Sequence, residues 1–203
     1  MPEPARRHGD AAIFFREFLR HPVQTGAVLP SSPALAQVAI SPLTSAGDPL
    51  VVELGPGTGA FTGAIQQRLA GHGTHLAIDT NPRLAALLSD RFPEVTVIND
   101  DAVRLPDLLA ERGLGGAELI VSSLPWAGFG EALQERLLVA AIEGLADGGT
   151  FTTFAYVHGR VLPSAARFYR RLQTCFGEVT VSPIVWRNAP PAVVYFARSA
   201  STS

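Results

Sequence analysis

The sequence predicts an α/β fold: seven strands in a mostly parallel sheet, helices on both faces, extra helices at the N-terminus and a C-terminal strand running antiparallel. Three observations predict it. Short apolar runs alternate with helix-period segments from residue 50 to residue 175, the pattern of a parallel sheet covered on both sides. Two strand-like runs, near 178–186 and 192–198, then follow with no helix between them, and so short a connection makes that pair antiparallel. Finally, a glycine-rich loop, "LGPGTGAF" at 54–61, stands between a strand and a helix.

The elements follow in order. Residues 1–9 read as a tail and 10–21 as a helix, capped by Asp10 and ended at His21-Pro22. A turn, "TGAVLPSS", leads to a helix starting at Ser32-Pro33. "LVVEL" (50–54) is a fully apolar strand but for one acid, and 60–70 is a helix. "THLAID" (74–79) is the second strand; Asn81-Pro82 caps and starts the helix that runs to Arg91. "EVTVI" (94–98) is a strand before a short helix at 105–112. "ELIVSSL" (118–124) precedes a helix at 130–145, and "TFTTFAYV" (150–157) precedes one at 163–175. Pro190-Pro191 lies in the last connection. The whole reads as one domain over 1–203: a tail and amphipathic helix (1–21), a turn and helix covering a ligand (22–45), and a core (46–203).

Composition narrows the classes. A chain of 203 residues, 47% hydrophobic, suits one domain with a sizeable core. A net charge of -2 argues against a broad nucleic-acid surface. All 16 basic residues are arginine. One cysteine, Cys175, allows no internal disulfide and no cysteine-based metal site. The N-terminal stretch lacks the apolar core and cleavage site of a signal peptide, and no apolar run reaches the roughly 18 residues that span a bilayer. A reducing cytosol is the expected compartment.

The chemistry starts at the glycine loop. Gly55, Gly57 and Gly59 can adopt positive φ and let a ligand approach the main chain, and the helix that follows points its free N–H groups to the same place. "GPGTGA" also fits the dinucleotide fingerprint, with Asp79 at a plausible distance for a ribose. The acids tip the balance. Glu53 stands just ahead of the first glycine, where a carboxylate can face an amino group. Asp79 ends the second strand, where it can bind both ribose hydroxyls, and Asp100-Asp101 ends the third, where one carboxylate can accept from an adenine amine. Carboxylates so close to the loop repel a pyrophosphate; a sulfonium with an amino-acid tail suits them, so S-adenosylmethionine, leaving as S-adenosylhomocysteine, is the expected cofactor.

"VVELGPGTGAFT", "AIDTNP" and "NDDA" resemble motifs of the Rossmann-like class I methyltransferases, particularly the branch of the rRNA adenine dimethyltransferases. Within it, "TGAVLPSSPALA", "SSLPWAGF" (122–129) and "VWRNAPPAVVYFAR" (185–198) resemble the bacterial phospholipid N-methyltransferases. The resemblance implies methylation of the amine of phosphatidylethanolamine, one to three times, towards phosphatidylcholine. It also implies a cofactor site drawn from Gly26, Ala27, Ser32, Glu53, Gly55, Gly57, Thr58, Gly59, Asp79, Thr80, Asn81, Asp100, Asp101, Ala102, Ser122 and Leu124. Base methyltransferases carry Asn-Pro-Pro-Tyr or Asn-Leu-Pro-Tyr after strand four; here Ser123-Leu124-Pro125-Trp126 lacks the Asn. That departure turns Trp126 towards an ammonium, by cation–π attraction. Tyr156 and His158, at the end of the fifth strand, are the candidate bases. The alternatives are another aminolipid or a small amine as acceptor, an rRNA adenine methyltransferase, a nicotinamide-dependent oxidoreductase, and a membrane-associated binder of the cofactor without activity.

"DAAIFFREFLRHP" sets Phe14, Phe15 and Phe18 on one side, with Arg16 and Arg20 elsewhere. Such a helix suits an anionic membrane interface, or a lid over the cofactor. Arg187 is the candidate for a lipid phosphate. The expected partners are therefore a phospholipid substrate and an anionic membrane surface, with no nucleic acid and no partner protein. The expected place is the cytoplasm, peripheral on the inner face of a bacterial cell membrane.

Overall fold

The computed structural model describes residues 31–44 and 47–199. The N-terminal helix with Phe14, Phe15, Arg16, Phe18 and Arg20, and the turn with Gly26 and Ala27, lie outside the described residues. Helix α1 is Pro33–Ala39. There follow β1 (Leu50–Leu54), α2 (Thr62–Leu69), β2 (Thr74–Ile78), α3 (Pro82–Arg91), β3 (Thr96–Ile98), a 3-10 turn (Ala102–Arg104) and α4 (Leu105–Ala110). The chain continues through β4 (Ala117–Ser122), α5 (Glu131–Glu143), β5 (Leu145–Tyr156), α6 (Pro163–Cys175), β6 (Glu178–Val181) and β7 (Ala192–Arg198).

The seven strands form one sheet in the order β3-β2-β1-β4-β5-β7-β6. Pairings from β3 to β5 are all parallel, and β7 runs antiparallel to both β5 and β6. The expected antiparallel hairpin is present, but β7 inserts between β5 and β6, which leaves the short β6 as the edge. β5 starts five residues before the expected position because Leu145 pairs with Ala117 across a bulge. The order turns back between β1 and β4, so the crevice at a topological switch point opens above their carboxyl ends.

Local chemistry explains the boundaries. Ser32 Oγ accepts from Leu35 N at 3.2 Å and Pro33 opens α1. Asn81 Oδ1 accepts from Arg83 N and Leu84 N, and Pro82 opens α3. These Ser/Asn caps satisfy amides that the first helical turn leaves without partners. The core has two layers. On one face of the sheet, α1 and α2 bury Leu35, Ile40, Phe61 and Ile65 against Val51, Val121 and Val194. On the other, α4, α5 and α6 bury Leu105, Leu138 and Leu172 against Leu54, Ile120 and Phe151. Among the described residues no helix is long and apolar enough to cross a membrane.

Trp126 belongs to this second layer. It is 3% exposed, stacked on Phe168 at 4.8 Å between centroids, and in edge contact with Phe151 and Phe129. Its Nε1 donates to Ser122 Oγ at 3.0 Å. Trp126→Ala is expected to cost about 3–5 kcal/mol of stability, a fall in Tm of roughly 6–20 °C. Calorimetric melting checks it; an unchanged Tm would show that the indole does not anchor this layer.

Candidate active site

Three strand ends build the site. After β1 the glycine loop turns tightly: Gly55, Gly57 and Gly59 all have positive φ, at 69°, 56° and 86°. Gly55 N donates to Ile78 O at 2.9 Å, which ties the loop to β2. A Cβ on Gly55 would come within 2.8 Å of Leu124 Cδ2, so glycine here lets the loops after β1 and β4 pack against each other. Gly59 serves packing as well, since a Cβ there would meet Phe92 Cε2 at 2.8 Å.

After β2, Asp79 is 2% exposed. Its Oδ1 accepts from Asn81 N at 2.8 Å and its Oδ2 from Gly57 N at 3.3 Å. Burial raises its pKa above the usual carboxylate value; the two backbone donors pull it down, and the nearby charge of Glu53 adds to the rise. After β3, Asp100 Oδ2 pairs with Arg104 and Oδ1 accepts from Asp101 N. Asp101 Oδ1 caps the 3-10 turn through Val103 N at 3.1 Å. Asp100 is thus committed to an arginine, and Asp101 has only one oxygen engaged among the described residues.

These ends border an open cleft lined by Gly55, Ile78, Asp79, Thr80, Asp100, Asp101, Ala102, Leu124, Phe129 and Leu137. Among the described residues its walls offer three carboxylates, a glycine backbone and an apolar flank, and no basic side chain. Among these residues a pyrophosphate finds no cation. A ligand with ribose hydroxyls, a flat apolar ring and a positive charge meets a matching surface.

Of the expected cofactor residues, Gly55, Asp79, Thr80, Asp100, Asp101, Ala102 and Leu124 line this cleft. Gly57 and Thr58 instead face an outer groove with Leu84, Leu87 and Arg91. Three of the polar residues expected at the cofactor have partners within the protein. Ser32 and Asn81 cap helices, and Ser122, 1% exposed, accepts from the Trp126 indole in the core. Glu53 is wholly buried beneath α2, and its Oε2 accepts from Thr62 Oγ1 at 2.6 Å. Its Oε1 is buried without a hydrogen-bond partner among the described residues.

The expected role of Trp126 at an ammonium is corrected. Phe168 covers one face of the indole, and the ring is sealed in the core, so no cation can reach it. The aromatic surface near the strand ends comes from elsewhere. Phe61, Phe154, Tyr156 and His158 form a ladder with centroid spacings of 5.7, 5.6 and 5.8 Å. Tyr156 is half-buried, and desolvation raises its pKa above 10. The phenol therefore stays protonated near neutral pH, and Oη offers a hydrogen bond and a π face instead of a ready base. His158 is exposed and stacked on Tyr156 at 12°. Arg187 is exposed on the β6–β7 connection beside Trp186.

Sequence reasoning passed over Asn188. It is 3% exposed; its Oδ1 accepts from Ser32 N at 2.8 Å and its Nδ2 donates to Pro190 O at 2.7 Å. It joins the start of α1 to the last loop of the sheet. A polar residue between Arg187 and Ala189-Pro190-Pro191 gives no sign of this without the fold.

No family model matches the chain. The chain is 33% identical over 202 residues to the ornithine lipid N-methyltransferase of Singulisphaera acidiphila, which takes in 96% of this chain and 98% of that protein. It is 32% identical over 164 residues to the ribosomal RNA small subunit methyltransferase A of Acidobacterium capsulatum, 70% of this chain and 56% of the relative. A TehB-like SAM-dependent methyltransferase from Corynebacterium glutamicum superposes with a TM-score of 0.61 over 93% of this chain and 99% of that one, at 16% identity. That likeness bears on the fold, which is the Rossmann-like one of class I SAM-dependent methyltransferases.

Proposed function

The chain belongs to the family of the ornithine lipid N-methyltransferase that it matches over nearly its whole length, and on that premise we propose that it methylates the primary amine of a membrane aminolipid. It is a methyltransferase, and S-adenosylmethionine is its cofactor. The near full-length likeness carries the lipid reading, joined to a cleft whose described lining has three carboxylates and no cation. Ornithine lipid ranks ahead of phosphatidylethanolamine as acceptor, because the relative that spans the chain is named for it. Phosphatidylethanolamine, suggested by the sequence motifs, presents the same chemical group.

Asp79 and one of Asp100 and Asp101 would hold the ribose and adenine, with Ala102, Leu124 and Phe129 closing on the ring. Bound, S-adenosylmethionine supplies a methyl group already activated by the sulfonium. The protein must then orient the acceptor nitrogen, exclude water and favour the neutral amine. A free primary amine has a pKa of about 10, and burial against other positive charge lowers it. Tyr156 Oη, protonated, orients the amine, and its ring face suits a methylated ammonium. An rRNA adenine acceptor is disfavoured: the Trp126 indole, in the place of a base-stacking aromatic, is closed in the core.

The bilayer is the proposed partner surface. Trp186, 72% exposed, stands beside Arg187 one residue from Val185, which bridges to Ala192; Ala192 pairs with Tyr156, so Trp186 shares the carboxyl end of the sheet with the site. An interfacial tryptophan with an arginine fits an anionic lipid surface. Trp186→Ser/Arg187→Ser is expected to sediment at least about fivefold less with anionic liposomes, at about 1 kcal/mol per basic residue, with cofactor affinity unchanged. Unchanged sedimentation would remove this loop from the membrane.

The acceptor itself is tested by supplying methyl-labelled S-adenosylmethionine with vesicles of ornithine lipid or of phosphatidylethanolamine, and separating the lipids. Label in ornithine lipid is the expected result. Label in phosphatidylethanolamine alone would reverse the ranking. Label in neither, with the cofactor bound, would overturn the aminolipid reading.

A further inference from the structure

Helix α5 buries Gln134, Leu137, Leu138, Ala140 and Ala141. Gln134 is the one polar side chain among them and is 3% exposed. Burying an amide is costly unless its N–H groups find acceptors, and here they do. Nε2 donates to Trp126 O at 2.6 Å and to Phe129 O at 3.2 Å. Both partners are carbonyl oxygens, so only the nitrogen end of the amide can serve them. The two carbonyls bracket the 3-10 turn Trp126–Gly128, which leads from β4 towards α5. Within that turn Gly128 N donates to Pro125 O at 2.9 Å and Phe129 N to Trp126 O at 3.2 Å. From the helix side, Gln134 therefore clasps a loop that carries both Leu124 and Phe129 to the cleft.

The place of the Phe129 ring follows from this clasp. Trp126 is fixed in the core by Phe168 and Ser122. Phe129 meets the indole edge-on at 6.1 Å between centroids, and it also lines the cleft. A leucine at position 134 would suit the apolar layer that holds Leu137 and Leu138, but it would leave both carbonyls without this donor. An amide with both its bonds made holds such a loop in a single arrangement. We propose that Gln134 is a positioning residue for the cofactor: it sets the Phe129 ring as the wall against which the adenine of S-adenosylmethionine packs. Gln134 is not among the residues that line the cleft and acts through Phe129. The inference rests on the S-adenosylmethionine reading of the cleft.

S-adenosylhomocysteine and 5′-methylthioadenosine share the adenosine and differ in the amino-acid tail. Calorimetric titration of the full chain gives both affinities. Gln134→Met keeps the length and bulk of the side chain and removes both donors. It is expected to weaken the two ligands by a similar factor, about tenfold. Gln134→His, whose Nε2–H can stand near the amide nitrogen, is expected to stay within about threefold of the wild type. In the Phe129→Ala background, Gln134→Met is expected to cost no further affinity, because the amide works through that ring. If Gln134→Met does not fold, Gln134→Leu takes its place, with the same pattern expected. Three results would each overturn the inference and leave the cofactor reading intact: affinities within about twofold of the wild type in Gln134→Met, a loss confined to S-adenosylhomocysteine, or losses that multiply in the double variant. An equal loss in Gln134→His and Gln134→Met would overturn it as well. A wild-type protein that binds neither ligand would overturn the cofactor reading and this inference with it.

Discussion

Replacing Gly57 with valine is expected to weaken S-adenosylmethionine binding by about a hundredfold or more while the protein still folds. Gly57 has a φ of +56°, and a Cβ built on it meets nothing within 4 Å. No clash therefore opposes the side chain. The cost lies in the backbone: an L residue in this region loses roughly 1–2 kcal/mol, and a β-branched one is a true outlier there. The loop relieves that strain by moving. Gly57 N is one of the two backbone donors on Asp79, so movement of the loop releases the carboxylate proposed to hold the ribose. The loss is thus passed to the ligand through a hydrogen bond and not through occupied space. Gly59→Ala is the contrast. Its Cβ would press on Phe92 Cε2 and Leu88 Cδ1 at 2.8 and 3.0 Å, so its main effect falls on Tm. Calorimetric titration and melting of both variants separate the two roles; normal affinity in Gly57→Val would mean that this loop does not govern the site.

The same contrast shows how far the sequence could be read. β1 matches its expected bounds because five apolar or shielded residues sit between two breakers, Pro49 and Gly55. α3 matches because Asn81-Pro82 is a strong local start signal. The place of β7 inside the sheet was hidden, since no local pattern says which neighbour a strand takes. Alternating acids at strand ends made Asp79, Asp100 and Asp101 legible as one cluster. The polar residues Ser32, Asn81 and Ser122 are harder to read, because short hydroxyl and amide side chains serve caps and buried hydrogen bonds as readily as ligands. Trp126 was misread for a related reason: an aromatic in a motif tells nothing of which way its loop turns, and here it turns inward onto Phe168. His75 carried no motif at all; only the approach of β2 to β1, with α2 above them, gives it a partner.

Asp79→Asn is expected to separate binding from stability. The carboxylate is the natural acceptor for two ribose hydroxyls, and hydrogen bonds to a charged group contribute about 1.5–3 kcal/mol each. The amide is expected to weaken S-adenosylmethionine by about tenfold to a hundredfold, read by calorimetric titration. In the free protein the sign is opposite. Burial is the largest influence on Asp79, ahead of the donors Asn81 and Gly57, and its pKa in the folded chain stands above the ordinary 3.8. A raised carboxyl pKa means that the folded state holds its proton more tightly than the unfolded chain does. The stabilising contribution is complete below the ordinary value and is lost as pH rises through the folded one. As pH rises the wild type therefore bears a growing cost for ionising a buried carboxylate, which the neutral amide does not. The weak 3.3 Å bond from Gly57 N is forfeited in exchange, a loss that does not vary with pH. Melting curves of both proteins from acidic to neutral pH should show the variant gaining on the wild type as pH rises. A constant gap in Tm with undiminished affinity would count against both parts. Affinity lost while stability is gained would mark a carboxylate placed for a ligand against the cost of its own burial.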